Sequence, residues 1–115
     1  MQQQLTGEGY EVEYDAAEER VMFKGALRLG GLSEYAPIVE LLNDALQVHE
    51  TLKLDLSQLE FLNSSGIATL SKFVITARNH GDRTLQVIGA ANIPWQGKSL
   101  KNLQRLMPSL ELTFC

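Results

Sequence analysis

Few residues in this chain are of a type and spacing that could do chemistry, and Asn63, Ser64, Ser65 and Gly66 are the most informative. They follow the run Leu54-Asp55-Leu56-Ser57-Gln58-Leu59-Glu60-Phe61-Leu62 and open a stretch whose apolar period reads as a helix. Two hydroxyls at a helix start face free backbone N–H groups and the positive end of the helix dipole. Plain capping suits that placement, because Asn and Ser are standard cap residues. Phosphorylation suits it as well: a phosphate on Ser64 or Ser65 would meet those N–H groups and add roughly −1.5 to −2 charge to the surface. A docked partner would then be repelled or reordered.

Trp95, in Ile93-Pro94-Trp95-Gln96-Gly97-Lys98, has two readings of its own. Its ring either covers an edge of the core or anchors a partner, since Trp is enriched at interface hot spots. Asp55 falls on the polar face of its strand by parity and reads as a solvated residue. His49 and His80 stand near predicted helix ends, where a cation suits the dipole. They are far apart in sequence, and the single cysteine, Cys115, offers neither a disulfide framework nor a thiolate cluster for zinc. A serine nucleophile lacks a base, because His80 ends the same predicted helix, about 15 residues or roughly 22 Å away. The chain reads as non-catalytic, with no cofactor.

Five segments alternate apolar and polar residues and so predict strands buried on one face. They are centred on Tyr10-Val12-Tyr14, Val21-Phe23, Leu52-Leu54-Leu56, Leu85-Val87 and Leu110-Leu112-Phe114. Strands covered on both faces would be apolar almost throughout. These have a wet face, so the prediction is a two-layer α/β domain with helices on one side of a mixed sheet of about five strands.

Helices are predicted over about 33–49, 65–80 and 99–107. Ser33 is the expected cap of the first, with Glu34 and Pro37 in its first turn. Gly81 closes the second and Pro108 stops the third. The order is strand, strand, helix, strand, helix, strand, helix, strand. Asp15 to Arg20 reads as the turn of an opening hairpin, and crossovers make the last four strands parallel. Residues 1–9 read as a flexible terminus and 10–115 as the domain. Loops at the carboxyl edge of such a sheet (Arg28–Leu32, Asn63–Gly66 and Ala90–Gly97) gather together.

At 115 residues, 44% hydrophobic and 21% charged, the chain has the composition of one ordinary globular domain. Its net charge of −4 disfavours phosphate-backbone binding, so no nucleic-acid partner is expected. No apolar run reaches the roughly 20 residues of a membrane span, and Met1-Gln2-Gln3-Gln4 does not begin like a signal peptide, so a cytoplasmic location without membrane insertion is expected. The charge is uneven: residues 1–60 stand at −8 and residues 61–115 at +4. Lys72, Arg78, Lys98, Lys101 and Arg105 thus place bases on the later helices, either as solvated faces or as a surface that meets an acidic partner.

Leu54-Asp55-Leu56-Ser57 through Phe61-Leu62-Asn63-Ser64-Ser65-Gly66-Ile67 resembles the signature of the STAS domain, the fold of bacterial anti-sigma factor antagonists. The element order over residues 10–115 is also similar, including a final Leu-rich helix and strand. The resemblance implies a cytoplasmic phospho-switch protein in a partner-switching pathway of signal transduction and transcription regulation. A GHKL-type serine kinase or anti-sigma factor would phosphorylate the second serine of the motif, Ser65, and a metal-dependent phosphatase would restore the binding form. Asn63, Ser64, Ser65, Gly66, Trp95 and Lys72 would make the partner-binding surface. One position departs from the pattern. The acid that usually opens the motif is Asn63 here, which brings no charge and is no base. STAS domains also occur as parts of anion transporters and lipid-transport complexes, so a nucleotide-, anion- or lipid-related subunit without phosphorylation is the alternative.

Overall fold

The computed structural model describes residues 3–115. Six strands and three helices follow one another as β1 (Gln4–Gly7), β2 (Tyr10–Asp15), β3 (Arg20–Leu27), α1 (Leu32–Val48), β4 (Thr51–Leu62), α2 (Ser64–His80), β5 (Thr84–Gly89), α3 (Gln96–Leu106) and β6 (Glu111–Phe114). The strands lie in the sheet in their sequence order. β1, β2 and β3 are antiparallel, and β3 through β6 are parallel. The hairpin, the parallel run and the helix-covered face are thus as the alternation predicts.

The register shows why alternation is informative. Tyr14 pairs with Val21, Val21 with Leu54, Leu54 with Val87 and Val87 with Leu112, one row across five strands. The next row on the other face is Glu13, Met22, Asp55, Ile88 and Thr113. The first row belongs to the core, with Leu112 partly buried against it, together with Ile38, Leu42 and Ala45 of α1, Leu70, Phe73 and Val74 of α2, and Leu100 and Leu103 of α3. The second row is half-exposed or exposed.

Several expectations need correction. Gln4–Gly7, placed by the sequence in a flexible terminus, pair with β2 as an edge strand and raise the count from about five to six. Its residues carry almost no apolar period, so only the backbone ladder marks it; Met1 and Gln2 lie outside the described residues. Ser33 does not cap α1. Gly31 takes that position at φ 113°, a conformation that favours glycine, and Ser33 is already helical. Pro37 therefore falls in the second turn, where it removes one intrahelical hydrogen bond. α3 starts at Gln96, three residues earlier than expected.

The largest departure is β4. Strict alternation ends at Leu56, yet the strand continues to Leu62 with two register shifts against β3, each admitting one extra residue. The shifts bring Leu56, Leu59 and Leu62 inward at intervals of three. Asp55 lies on the helix-free face, as parity predicts, but it is more than solvated. Its carboxylate accepts from the Ser57 N–H at 3.0 Å and from the Ser57 hydroxyl at 2.6 Å, which fastens the first shift.

A bulged strand leaves carbonyls without ladder partners, and a buried carbonyl needs a donor. β5 stops pairing with β4 at Asp55. Beyond that point Gln96, wholly buried, supplies the missing bonds: its Nε2 donates to the Leu56 and Leu59 carbonyls at 2.6 and 3.0 Å, and its Oε1 accepts from the Ala90 N–H at 2.7 Å. Trp95 Nε1 donates to the same Leu59 carbonyl at 3.0 Å. This demand pulls the start of α3 down to Gln96.

Candidate functional site

The start of α2 hangs from one side chain. Asn63 Oδ1 accepts from the Gly66 N–H at 2.9 Å, which is the helix cap, and from the Tyr35 hydroxyl at 2.7 Å. Asn63 Nδ2 donates to the Leu29 carbonyl at 2.8 Å. Backbone bonds complete the junction: the Asn63 N–H reaches the Leu27 carbonyl and the Asn63 carbonyl receives the Ile67 N–H. One amide thereby ties the end of β4, the loop after β3, the body of α1 and the first turn of α2.

This explains the departure at position 63. A carboxylate there would keep the cap and the Tyr35 bond but would have no donor for the Leu29 carbonyl. Asn63 is a junction that uses both ends of its amide. Tyr35 is buried, and that burial pushes its hydroxyl up from the ordinary tyrosine value, so it remains a donor at neutral pH. Sequence reasoning passed over Tyr35 and Leu29. The available signal was Tyr35 on the same helical stripe as Ile38, Leu42 and Ala45, an aromatic with a polar tip inside an aliphatic core.

Gly66 is fixed by space. A Cβ at this position would lie 2.2 Å from Leu62 Cδ1 and 2.7 Å from the Tyr35 hydroxyl oxygen. The helix start can therefore settle against the Tyr35–Asn63 bond only with glycine here.

With Asn63 and Gly66 committed to the scaffold, the serines are what the junction presents. Ser64 is exposed and Ser65 half-buried, and the first turn of α2 holds no acid to neutralise its positive end. The Ser65 carbonyl accepts from Thr69 Oγ1 at 2.8 Å. Next to the junction, the Arg28 guanidinium lies 4.6 Å from the centre of the Phe61 ring. Phe61 is 40% exposed on the helix-free face, since its neighbour Leu62 enters the core, and Leu32, at the start of α1, is 50% exposed. Exposed aromatic and aliphatic side chains of this kind suit contact with a protein partner.

The remaining residues singled out by sequence lie elsewhere. Trp95 is half-buried against the core and its indole N–H is engaged by Leu59, so it straps the bulge of β4. Lys72 is exposed on α2, seven residues beyond Ser65, and lines a groove with Leu32, Ala36, Val39, Glu40, Asn43 and Asp44 of α1. His49 bonds the Tyr14 hydroxyl through Nε2 and approaches Glu19 at 3.4 Å through Nδ1. His80 is exposed in the last turn of α2. Among the described residues no three His, Cys, Asp or Glu side chains are grouped to hold a metal, and no helix is long and apolar enough to cross a membrane.

No family model and no curated protein matches the chain. Solved structures do. SiaC of Pseudomonas aeruginosa superimposes with a TM-score of 0.71 at 14% identity, over 97% of this chain and 95% of that one. A crystal structure of the diguanylate cyclase SiaD in complex with its activator SiaC, from the same organism, gives 0.71 and 14% over 96% of each chain. Apo-SiaC gives 0.71 and 12% over 97% of each. At these identities the likeness establishes the fold: a single α/β domain with a six-stranded mixed sheet and three helices. The structural neighbour SiaC is, in its complex, the activator of a separate enzyme.

Proposed function

We propose that the chain is a non-catalytic regulatory protein that binds a partner protein through the start of α2 and is switched there by phosphorylation, with Ser65 the principal acceptor and Ser64 the second. The observation that carries this reading is the division of labour at the junction. Asn63 and Gly66 are consumed by the scaffold, while Ser64 and Ser65 remain at a helix N-terminus whose first turn holds no acid.

A phosphate on Ser65 would be received by the N–H groups of the first turn and would turn a neutral, partly apolar surface into a dianionic one. A partner packed on the start of α2 would have to desolvate that charge, which weakens capture. Asn63 carries no charge and cannot serve the acceptor hydroxyl as a general base. The kinase must bring the general base and the metal on its own side.

The resemblance to anti-sigma factor antagonists supports a GHKL-type serine kinase as the modifying partner and a metal-dependent phosphatase as its opponent. The likeness to SiaC supports a signalling enzyme as the client. Lys72 extends the surface along the exposed side of α2, and Trp95 supports it indirectly by holding the β4 bulge in place. The test is capture of partners from the protein's own cells by Ser65→Asp and Ser65→Ala. Ser65→Asp should lose capture and Ser65→Ala should keep it; equal capture by the two would sink the switch.

A further inference from the structure

The uneven charge noted in the sequence acquires a location in the fold. α1 carries Glu34, Glu40 and Asp44 and no base, whereas α3 carries Lys98, Lys101 and Arg105 and no acid. α2 lies between them. The acidic side of this layer contains a groove, the one walled by α1 and by Lys72 of α2.

Two stripes run along α1. Tyr35, Ile38, Leu42 and Ala45 enter the core. Leu32, Ala36, Val39 and Asn43 form the second stripe, which lines the groove, and their spacing of four, three and four is that of a coiled-coil seam. Such a seam accepts side chains from a helix laid against it. Its apolar end, at Leu32, is the end next to Ser64. Its other end is acidic: Glu40 and Asp44 are four residues apart on one helix, a repulsive spacing, and neither carboxylate is in an ion pair among the described residues. Lys72 stands opposite, at the same distance from the start of α2 as Glu40 is from the start of α1.

We infer that this groove receives an amphipathic helix from a partner protein, apolar where it meets Leu32, Ala36 and Val39 and basic where it passes Glu40 and Asp44. The inference rests on the reading above only in supposing a protein partner, and it adds a second contact with a defined chemistry. Apolar burial along the seam supplies affinity, and the two unpaired carboxylates select a basic partner and set its direction. Lys72 opposes the basic residues and limits how tightly they bind.

The probe is a synthetic helix of about 18 residues, ~27 Å long and so matched to α1. Three leucines occupy one face and two lysines continue it; a control peptide carries glutamates in place of those lysines. Titrated into the isotope-labelled full chain, the lysine peptide should shift the amides of Leu32, Ala36, Val39, Asn43 and Lys72. It should bind at least about tenfold more tightly than the control. The double variant Glu40→Gln/Asp44→Asn, both positions exposed, should erase that preference, and Lys72→Gln should strengthen it.

No binding, no preference for lysine, or shifts confined to residues 61–65 would overturn the groove and leave the serine switch standing. Equal partner capture by Ser65→Ala and Ser65→Asp, with the peptide still bound in the groove, would sink the switch alone. Concentration-dependent dimerisation that moves the same seam residues would assign the groove to a second copy and overturn the partner helix.

Discussion

Replacing Asn63 by Asp is the sharpest perturbation of the junction, because it changes one donor and almost no shape. The substitution removes the bond from Nδ2 to the Leu29 carbonyl, about 1 kcal/mol for a neutral pair, and leaving that part-buried carbonyl unpaired adds about 1–2 kcal/mol. Against this, a carboxylate still accepts from Tyr35 and from the Gly66 N–H, and gains about 0.3–1 kcal/mol from the helix N-terminus. The donor loss wins by about 1–2 kcal/mol. With an unfolding entropy of about 2.1 cal/mol/K per residue, that is a fall in Tm of about 4–8 °C for a chain of this length.

Denaturant unfolding of both proteins at about pH 7.5 reads this directly. A variant as stable as the parent at neutral pH would refute the junction as drawn.

Other parts of the structure carry their own expectations. Gln96→Leu orphans the Leu56 carbonyl and the Ala90 N–H in the interior, leaves the Leu59 carbonyl only its bond from Trp95, and should cost about 2–3 kcal/mol or more by denaturant unfolding, while a loss under 1 kcal/mol would mean the bulge is satisfied some other way. Gly66→Ala drives a methyl into Leu62 and the Tyr35 hydroxyl and should cost about 1–3 kcal/mol; a neutral change would show that α2 can shift outward. Tyr14 and Tyr35 are both held above the usual tyrosine value of 10.0 by burial, Tyr14 additionally by the Asp15 and Glu19 carboxylates. Folded pKa values that are raised give stability fully present below about pH 10 and lost as pH climbs through them. Thermal unfolding should thus be level up to that region and fall beyond it, and Tyr35→Phe should flatten the fall; an unchanged alkaline limb would count against Tyr35.

What the chain disclosed in advance follows from where its energy lies. Rows such as Val21, Leu54, Val87 and Leu112 are read off alternation, because one face of the sheet is buried and the other wet. The two serines were visible because a helix start has a local signature. What alternation cannot show is pairing without apolar side chains, as in β1, or a bulge, where Leu56, Leu59 and Leu62 change period mid-strand.

Buried polar residues were the other gap. Tyr35 and Gln96 sit within or beside apolar stripes, and nothing local says that each answers an unpaired group more than twenty residues away in sequence. The charge imbalance was legible as a total. Its distribution depends on the fold, which sets α1 and α3 on opposite sides of α2.

The central claim is that Ser64 and Ser65 are left free at the start of α2 in order to be modified. Phosphosite mapping by mass spectrometry on the protein isolated from its own cells tests it most directly. The account predicts a phosphate on Ser65, with Ser64 as the lesser site, in at least one growth condition. A chain recovered without phosphate on either serine across growth conditions, with peptides spanning both residues detected, would contradict it.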